Sequence, residues 1–311
     1  MWLSCALNQT GARITEHSVA SIMIPYGPKA DFVLAALEML PAYRDYRAGR
    51  LTRDEFAAAL DANADVLLPR LDGRQGFLDL AKVYPPDFDA AGDAILASLV
   101  ADAFLDEIPD APFDEYRTRI RAEYDHDHRH TSIHPDDARL AYFISMAIKP
   151  KRLLVVGSYY GYWAVWAMPG VVAADGASGN GTAMLIDPDR DVSALAEHNF
   201  RALGFGDRTE VRAEPAEEVF PSIEPGLDLV MLDAAGADDH ADPGYHGKGI
   251  YGFLIADIFD RMRHGALLVV HNDAPPDANE RELDRLHAFC SGTFRKGVVN
   301  DTPEGVGIYL R

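Results

Sequence analysis

Two hydrophobic patterns divide the chain. From about Ser21 to Tyr124, apolar residues recur three to four positions apart and the breaks fall at Pro and Gly, which predicts helices. Thr52-Arg53-Asp54-Glu55 has the form of a capping box, in which a hydroxyl and a carboxylate each satisfy a free backbone N–H. It opens the run Phe56–Leu60. A second helix is predicted from Ala90 to about Ile108, with Ile95, Leu99, Val100, Ala103, Phe104 and Ile108 on one face, and a third from Phe113 to Tyr124. Residues 1–125 therefore read as an all-helical subdomain, a cap or dimerisation arm for the C-terminal domain.

From residue 126 to 311 the pattern alternates. Short β-rich runs occur at Arg152–Val156, Ala183–Ile186, Thr209–Arg212, Leu227–Leu232 and Ala266–Val270, separated by helical stretches such as Asp191–Leu203. Continuous apolar strands between helices imply a parallel sheet covered on both faces. Phe294–Val299 and Val306–Leu310 flank the turn-forming segment Asn300–Gly305, which suits a hairpin. The expected fold is α/β: a doubly wound, mostly parallel sheet of five strands with a terminal antiparallel hairpin.

Composition narrows the partners. Of 311 residues, 48% are hydrophobic, and 49 acids against 29 bases leave a formal net charge of −20. Nucleic acid and anionic membrane surfaces are disfavoured, because both are bound through clustered Lys and Arg. Cys5 and Cys290 are too few and too far apart for a disulfide framework, no apolar run is long enough to span a bilayer, and no leader is legible. The expectation is a cytoplasmic protein acting on a small molecule.

Open α/β sheets bind ligands at the carboxyl ends of their strands. The first strand is followed by Gly157-Ser158-Tyr159-Tyr160-Gly161-Tyr162, whose G-x-x-x-G spacing lacks the central glycine of a dinucleotide site. Asp187 follows the second strand, Glu214 the third and Asp233 the fourth, while His271-Asn272-Asp273 follows the fifth. The loop Gly236–Gly249 carries His240, His246 and Lys248, and a histidine there suits proton transfer at neutral pH. Asp125-His126-Asp127-His128-Arg129-His130 reads as a polar linker, with substrate contact as the other reading.

The run Val155-Val156-Gly157-Ser158-Tyr159-Tyr160-Gly161-Tyr162-Trp163 resembles the first motif of class I S-adenosylmethionine-dependent methyltransferases, in particular the catechol O-methyltransferase-like family. The resemblance runs from about Ile133 to the C-terminus and includes the lead-in His134-Pro135-Asp136-Asp137. It implies a Rossmann-like methyltransferase fold in which Gly157, Tyr159, Gly161 and Tyr162 line the methionine part of the cofactor. Asp187 would accept the ribose hydroxyls, Glu214 would lie on the adenine side, and Asp233 would meet the cofactor amine or a metal.

The resemblance also departs from the family pattern. The family's Asp-Asn pair after the fifth strand is here His271-Asn272, its catalytic lysine falls on Gly236, and Trp163 stands where a small serine is usual. Three readings of the metal site stay open: Mg²⁺ on Asp233, Asn272 and Asp273; a softer metal through His271; or no metal, with His271 as general base. The implied activity is S-adenosylmethionine-dependent O-methylation of a small molecule. The alternative is metal-independent N-methylation of an amine or guanidine with a histidine base, His271, His246 or His240. A nicotinamide-dependent oxidoreductase and an inactive cofactor-binding scaffold are the other classes, and a homodimer is the expected assembly.

Overall fold

A computed structural model describes residues 30–71, 73–83, 88–129, 131, 133–174, 181–273, 282–300, 302 and 304–311. Cys5 and the helical reading of residues 21–29 lie outside the described residues. Five helices, α1 (Ala30–Glu38), α2 (Pro41–Arg47), α3 (Arg53–Ala62), α4 (Ala64–Leu67) and α5 (Gln75–Val83), enclose a small core of their own that includes Leu37, Tyr43, Phe56, Leu60 and Leu71. The capping box forms at α3. Thr52 Oγ1 accepts the Glu55 N–H at 3.3 Å, and Glu55 Oε2 accepts the Thr52 N–H at 2.8 Å.

The next two helices, α6 (Phe88–Ala101) and α7 (Phe113–Glu123), share the core of the sheet instead. Helix α6 stops well before Ile108 because Ala103 turns left-handed (φ 55°) and the Phe104 N–H donates to the Leu99 carbonyl at 2.8 Å. That cap swings Phe104 and Leu105 into the sheet's core and leaves Ile108 at the surface. Asp89 ties the helices together: it accepts from Arg47 at 2.7 Å and from Arg117 at 2.8 Å.

The sheet has seven strands, β1 (Arg152–Val156), β2 (Thr182–Ile186), β3 (Thr209–Arg212), β4 (Leu227–Leu232), β5 (Met262–His271), β6 (Lys296–Asn300) and β7 (Val306–Leu310), in the order β3-β2-β1-β4-β5-β7-β6. The first five run parallel, and β7 pairs antiparallel with both β5 and β6. The doubly wound sheet with a terminal hairpin is as the sequence implied. Strand β5 starts four residues before the expected Ala266, because Met262 pairs with Leu227 ahead of an irregularity in register.

One face is covered by α8 (Pro135–Ile148), α9 (Tyr162–Ala173) and α10 (Arg190–Ala202), with Trp166, Tyr142 and Phe200 among the buried side chains. The other is covered by α11 (Ala216–Val219), α12 (Tyr251–Arg261) and α13 (Asp284–Thr293), with Phe220, Tyr251 and Leu286. No described helix is long and apolar enough to cross a membrane.

Candidate active site

The loops after β1 to β5 open into one cleft of about 700 Å³ at the carboxyl edge of the parallel strands. Gly157, Tyr159, Tyr162, Asp187, Asp233 and Asn272 all line it, although they come from loops far apart in the sequence.

The turn after β1 is held from two sides. The Gly157 and Ser158 N–H groups donate to the Ile186 carbonyl at 2.9 and 3.0 Å, and the Asp233 N–H donates to the Val156 carbonyl at 2.8 Å. Gly157 has φ 75°, and a Cβ there would stand 2.3 Å from the Ala234 Cα, so this position admits no side chain. Gly161 does not reach the cleft lining. It caps α9 at φ 85° and lies beneath Phe200 and the Tyr124 hydroxyl, so its small size serves packing and not contact with a ligand.

Behind the turn, Tyr124 donates to the Tyr160 carbonyl at 2.5 Å, and Asp125 and Asn199 exchange two hydrogen bonds of 2.9 Å. His126 bonds the Tyr160 hydroxyl at 2.9 Å and packs on Tyr162. The described part of the histidine-rich stretch is thus a brace for the turn; His130 lies outside the described residues.

Asp187 ends β2 with both oxygens oriented by backbone. Oδ2 accepts the Tyr159 N–H at 2.9 Å and Oδ1 accepts the Asp189 N–H at 3.0 Å. Burial pushes this carboxyl above its usual range, and those two N–H groups oppose the rise. Glu214 is not brought to the cleft. Arg212 holds it at 2.7 Å outside, and that hydrogen bond lowers its pKa. The acid after β3 that does line the cleft is Glu217, bonded by the Tyr245 hydroxyl.

Asp233 is the centre of a buried charge cluster. Its Oδ1 lies 2.6 Å from Lys248 Nζ, and its Oδ2 lies 3.4 Å from His271 Nδ1. Burial works against the charge, but the Lys248 ammonium and then His271 hold the Asp233 carboxyl down at about 2. His271 is fully buried behind Trp163, whose ring centroid is 5.3 Å away, and its Nε2 lies 3.2 Å from Asp137 Oδ2. Burial alone would lower its pKa; Asp233 and Asp137 overcome that and raise it to about 10. The ring does not line the cleft: Trp163 covers it, and its two nitrogens are bonded to Asn272 at 3.0 Å and Asp137 at 3.2 Å, so the fold does not bring the expected base to the cleft wall. Asp136, beside Asp137 in the lead-in to α8, is pushed up to about 8 by burial and by that neighbour.

The remaining histidine candidates are also placed elsewhere. His240 is exposed, stacks on Tyr245 at 4.1 Å and accepts the Asp242 N–H at 3.1 Å. His246 donates through Nε2 to the His240 carbonyl at 2.8 Å, and neither ring lines the cleft. What the loop delivers is Lys248. Gly236 and Gly247 form an antiparallel bridge with hydrogen bonds of 2.7 and 3.1 Å, so the chain leaves and returns at one point. Lys248 then lies beside Asp233, whereas Gly236, where the family pattern has a lysine, carries no side chain. The sequence places Lys248 in this loop as the nearby lysine, but only the loop closure brings it to Asp233.

The donors do not fit the implied metal site. Asp273 is turned away from the cleft, fully buried, with Oδ2 on the Tyr309 hydroxyl at 2.6 Å and Oδ1 on His287 at 2.7 Å. The Asn272 amide donates to Glu304 at 2.8 Å. Asp233, Asn272 and Asp273 therefore do not converge, and the position of the family's second carboxylate holds an imidazole already bonded on both nitrogens. Among the described residues, no three His, Cys, Asp or Glu side chains are grouped so as to hold a metal ion.

The cleft does fit an adenosyl sulfonium: a side-chain-free turn, a carboxylate with lone pairs left over, and aromatic walls. The strand order, with β7 antiparallel between β5 and β6, differs from the all-parallel 3-2-1-4-5-6 order of dinucleotide-binding sheets. Fold and site together resemble those of the class I S-adenosylmethionine-dependent methyltransferases.

Comparison with known proteins agrees. No family model matches the chain. The chain is 23% identical over 210 residues to a protein of Mycobacterium tuberculosis (strain ATCC 25618 / H37Rv) described as catechol O-methyltransferase, covering 65% of this chain and 84% of the relative. Among solved structures it is similar to the O-methyltransferase TomG of Streptomyces achromogenes with SAM (16% identity, 70% of this chain and 95% of that one, TM-score 0.47). It is also similar to the SAH-bound methyltransferase PaMTH1 of Podospora anserina (20% identity, 69% and 94%, TM-score 0.47). The resemblance to the catechol O-methyltransferase-like enzymes is thus borne out by a curated relative.

Proposed function

We propose that the chain transfers the methyl group of S-adenosylmethionine to an oxygen of a small-molecule acceptor seated in the cleft. The observation that carries this reading is the Lys248 ammonium, 2.6 Å from Asp233, in the same cleft as the Gly157 turn and Asp187. In this reading Asp187 holds the sugar hydroxyls, the backbone of residues 157–159 admits the amino-acid part, and Tyr159 and Tyr162 wall the sulfonium. The bound donor supplies an activated methyl group; the chain's task is alignment, which accounts for much of the acceleration in such transfers.

The cleft's size lies in the ordinary range for small ligands, roughly 300–1,000 Å³. Ile133, Trp163, Ile250 and Leu254 give it an apolar wall suited to a planar acceptor. Lys248 favours oxygen over nitrogen as the acceptor atom, since an ammonium repels an incoming ammonium or guanidinium and attracts an oxygen that is losing its proton.

Calorimetry with S-adenosylhomocysteine and with NAD is the direct test. Binding of the first and not the second is expected, followed by transfer of labelled methyl to hydroxyl compounds and not to amines. The opposite pattern of nucleotide binding would remove the reading.

A further inference from the structure

We infer that the Lys248 ammonium, seated on Asp233, occupies the place that a divalent metal would take beside the acceptor, and that the acceptor is a phenol read through a single hydroxyl. The inference rests on the methyltransferase reading above and goes beyond it by naming the charge that handles the acceptor oxygen.

Asp233 is flanked by two cations of the protein: Oδ1 accepts from Lys248 at 2.6 Å, and Oδ2 lies at ion-pair distance, 3.4 Å, from His271, whose Nδ1 is hydrogen-bonded to Asn272 at 3.0 Å. His271 is in turn anchored on Asp137 at 3.2 Å, and Asp273 is locked behind the strand by Tyr309 and His287. A divalent ion at Asp233 would have to displace an ammonium, and among the described residues no three His, Cys, Asp or Glu side chains are grouped to hold one. The lysine is also held by design of the loop and not by chance of an exposed side chain. The Gly236–Gly247 bridge brings the backbone back, and the Lys248 N–H donates to Glu282.

The ammonium makes three contacts, to Asp233 Oδ1 at 2.6 Å, the Ala234 carbonyl at 3.1 Å and the Asp233 carbonyl at 3.4 Å. The last is weak, and it is the contact that an incoming oxyanion replaces. A metal ion chelates two adjacent oxygens; one ammonium is a point charge and needs only one. It also ionises less strongly than a metal. An opposite charge at contact distance lowers a pKa by about 1–3 units, enough for a phenol with a pKa near 10 but not for an aliphatic alcohol.

The step then balances without a metal. The acceptor's hydroxyl proton leaves to water, and Lys248 holds the phenolate. The phenolate oxygen's electron pair forms the new bond to the methyl carbon as the carbon–sulfur bond breaks and its pair passes to sulfur. A phenolate and a sulfonium become a neutral ether and a neutral thioether, and Lys248 ends as it began, an ammonium on Asp233.

The test uses the full chain loaded with S-adenosylhomocysteine. Titrated with Mn²⁺ alone and followed by electron paramagnetic resonance, it is expected to show no stoichiometric uptake. Titrated with para-nitrophenol at a pH about two units below that phenol's own pKa, where the free probe is protonated, it is expected to show growth of the phenolate absorption band. Lys248→Met should lose that band and weaken nitrophenol binding about tenfold or more, the cost of one charge-assisted hydrogen bond, while Lys248→Arg retains it. S-adenosylhomocysteine affinity in both variants should stay within about twofold of the parent, since the lysine holds the acceptor and not the donor. One Mn²⁺ bound per chain and lost in Asp233→Asn would overturn the inference. So would absence of the phenolate band in the parent complex, or its survival in Lys248→Met. Failure of S-adenosylhomocysteine to bind at all would instead defeat the underlying methyltransferase reading.

Discussion

His271 Nε2 stands 3.2 Å from Asp137 Oδ2 across 134 positions of sequence, so the end of β5 is tied to the first turn of α8 by a buried ion pair. Two carboxylates flank one imidazole, and the charges are mutually dependent. The folded pKa of His271, about 10, lies above its ordinary value of 6.5. Its contribution to stability is whole below pH 6.5 and is lost as pH rises through 10. Asp233, at about 2, lies below its ordinary 3.8, so its contribution is present above pH 3.8 and lost as pH falls through 2.

His271→Gln should therefore destabilise the protein by about 3–5 kcal/mol at pH 7, because it leaves two buried carboxylates without their shared cation. Urea unfolding at pH 7 and pH 10 checks this. The gap between parent and variant should narrow at the higher pH, and an equal gap at both values would show that the imidazole carries no charge.

The sequence points to both Asp187 and Glu214 as cofactor ligands, but only Asp187 lines the cleft. Asp187→Asn is expected to weaken S-adenosylhomocysteine binding roughly 10–100-fold, the worth of one or two hydrogen bonds to a charged group. Glu214→Gln, which touches Arg212 outside the cleft, should leave it within about twofold. Calorimetry separates the two, and equal losses would misplace the sugar.

Gly157→Ala puts a methyl group 2.3 Å from the Ala234 backbone at φ 75°. The exits of β1 and β4 must separate to admit it, at a cost of about 1–3 kcal/mol beyond the backbone strain. Gly204→Ala is the control: its φ of 82° is equally left-handed, but no heavy atom lies within 4 Å of the new methyl. Thermal unfolding should show the first variant clearly less stable than the second, and only the first should lose cofactor affinity.

Tyr245 links the loop of residues 236–247 to Glu217 at the mouth of the cleft. Glu217 is exposed, so Tyr245→Phe should change global stability by less than about 1 kcal/mol. It should nonetheless speed release of S-adenosylhomocysteine, measured by stopped-flow displacement. An unchanged release rate would mean that the link does not restrain the bound nucleoside.

Much of the architecture is legible in the sequence because it is written in local periods. The capping box at Thr52–Glu55, four of the five parallel strands to within a residue or so, and the terminal hairpin follow from hydrophobic spacing and turn chemistry. Apolar spacing carries the sequence reading of α6 on to Ile108, whereas the backbone turns at Ala103. Asp273 departs from its expected place for a related reason. Asn272 adopts φ 55°, so the alternation of faces along β5 breaks there and the next carboxylate turns toward Tyr309.

The chain's periodicity and its glycine-bearing turn after β1 were enough to determine a parallel α/β sheet and the edge at which the cleft opens, since both depend on neighbours close in sequence. Which ionisable groups meet at that edge was decided only by tertiary structure. Lys248 reaches Asp233 because Gly236 and Gly247 close a loop, and His271 is held behind the cleft because Asp137 arrives from another helix. Charge interactions act through space and depend on distance and burial, and neither quantity is set until the chain has folded.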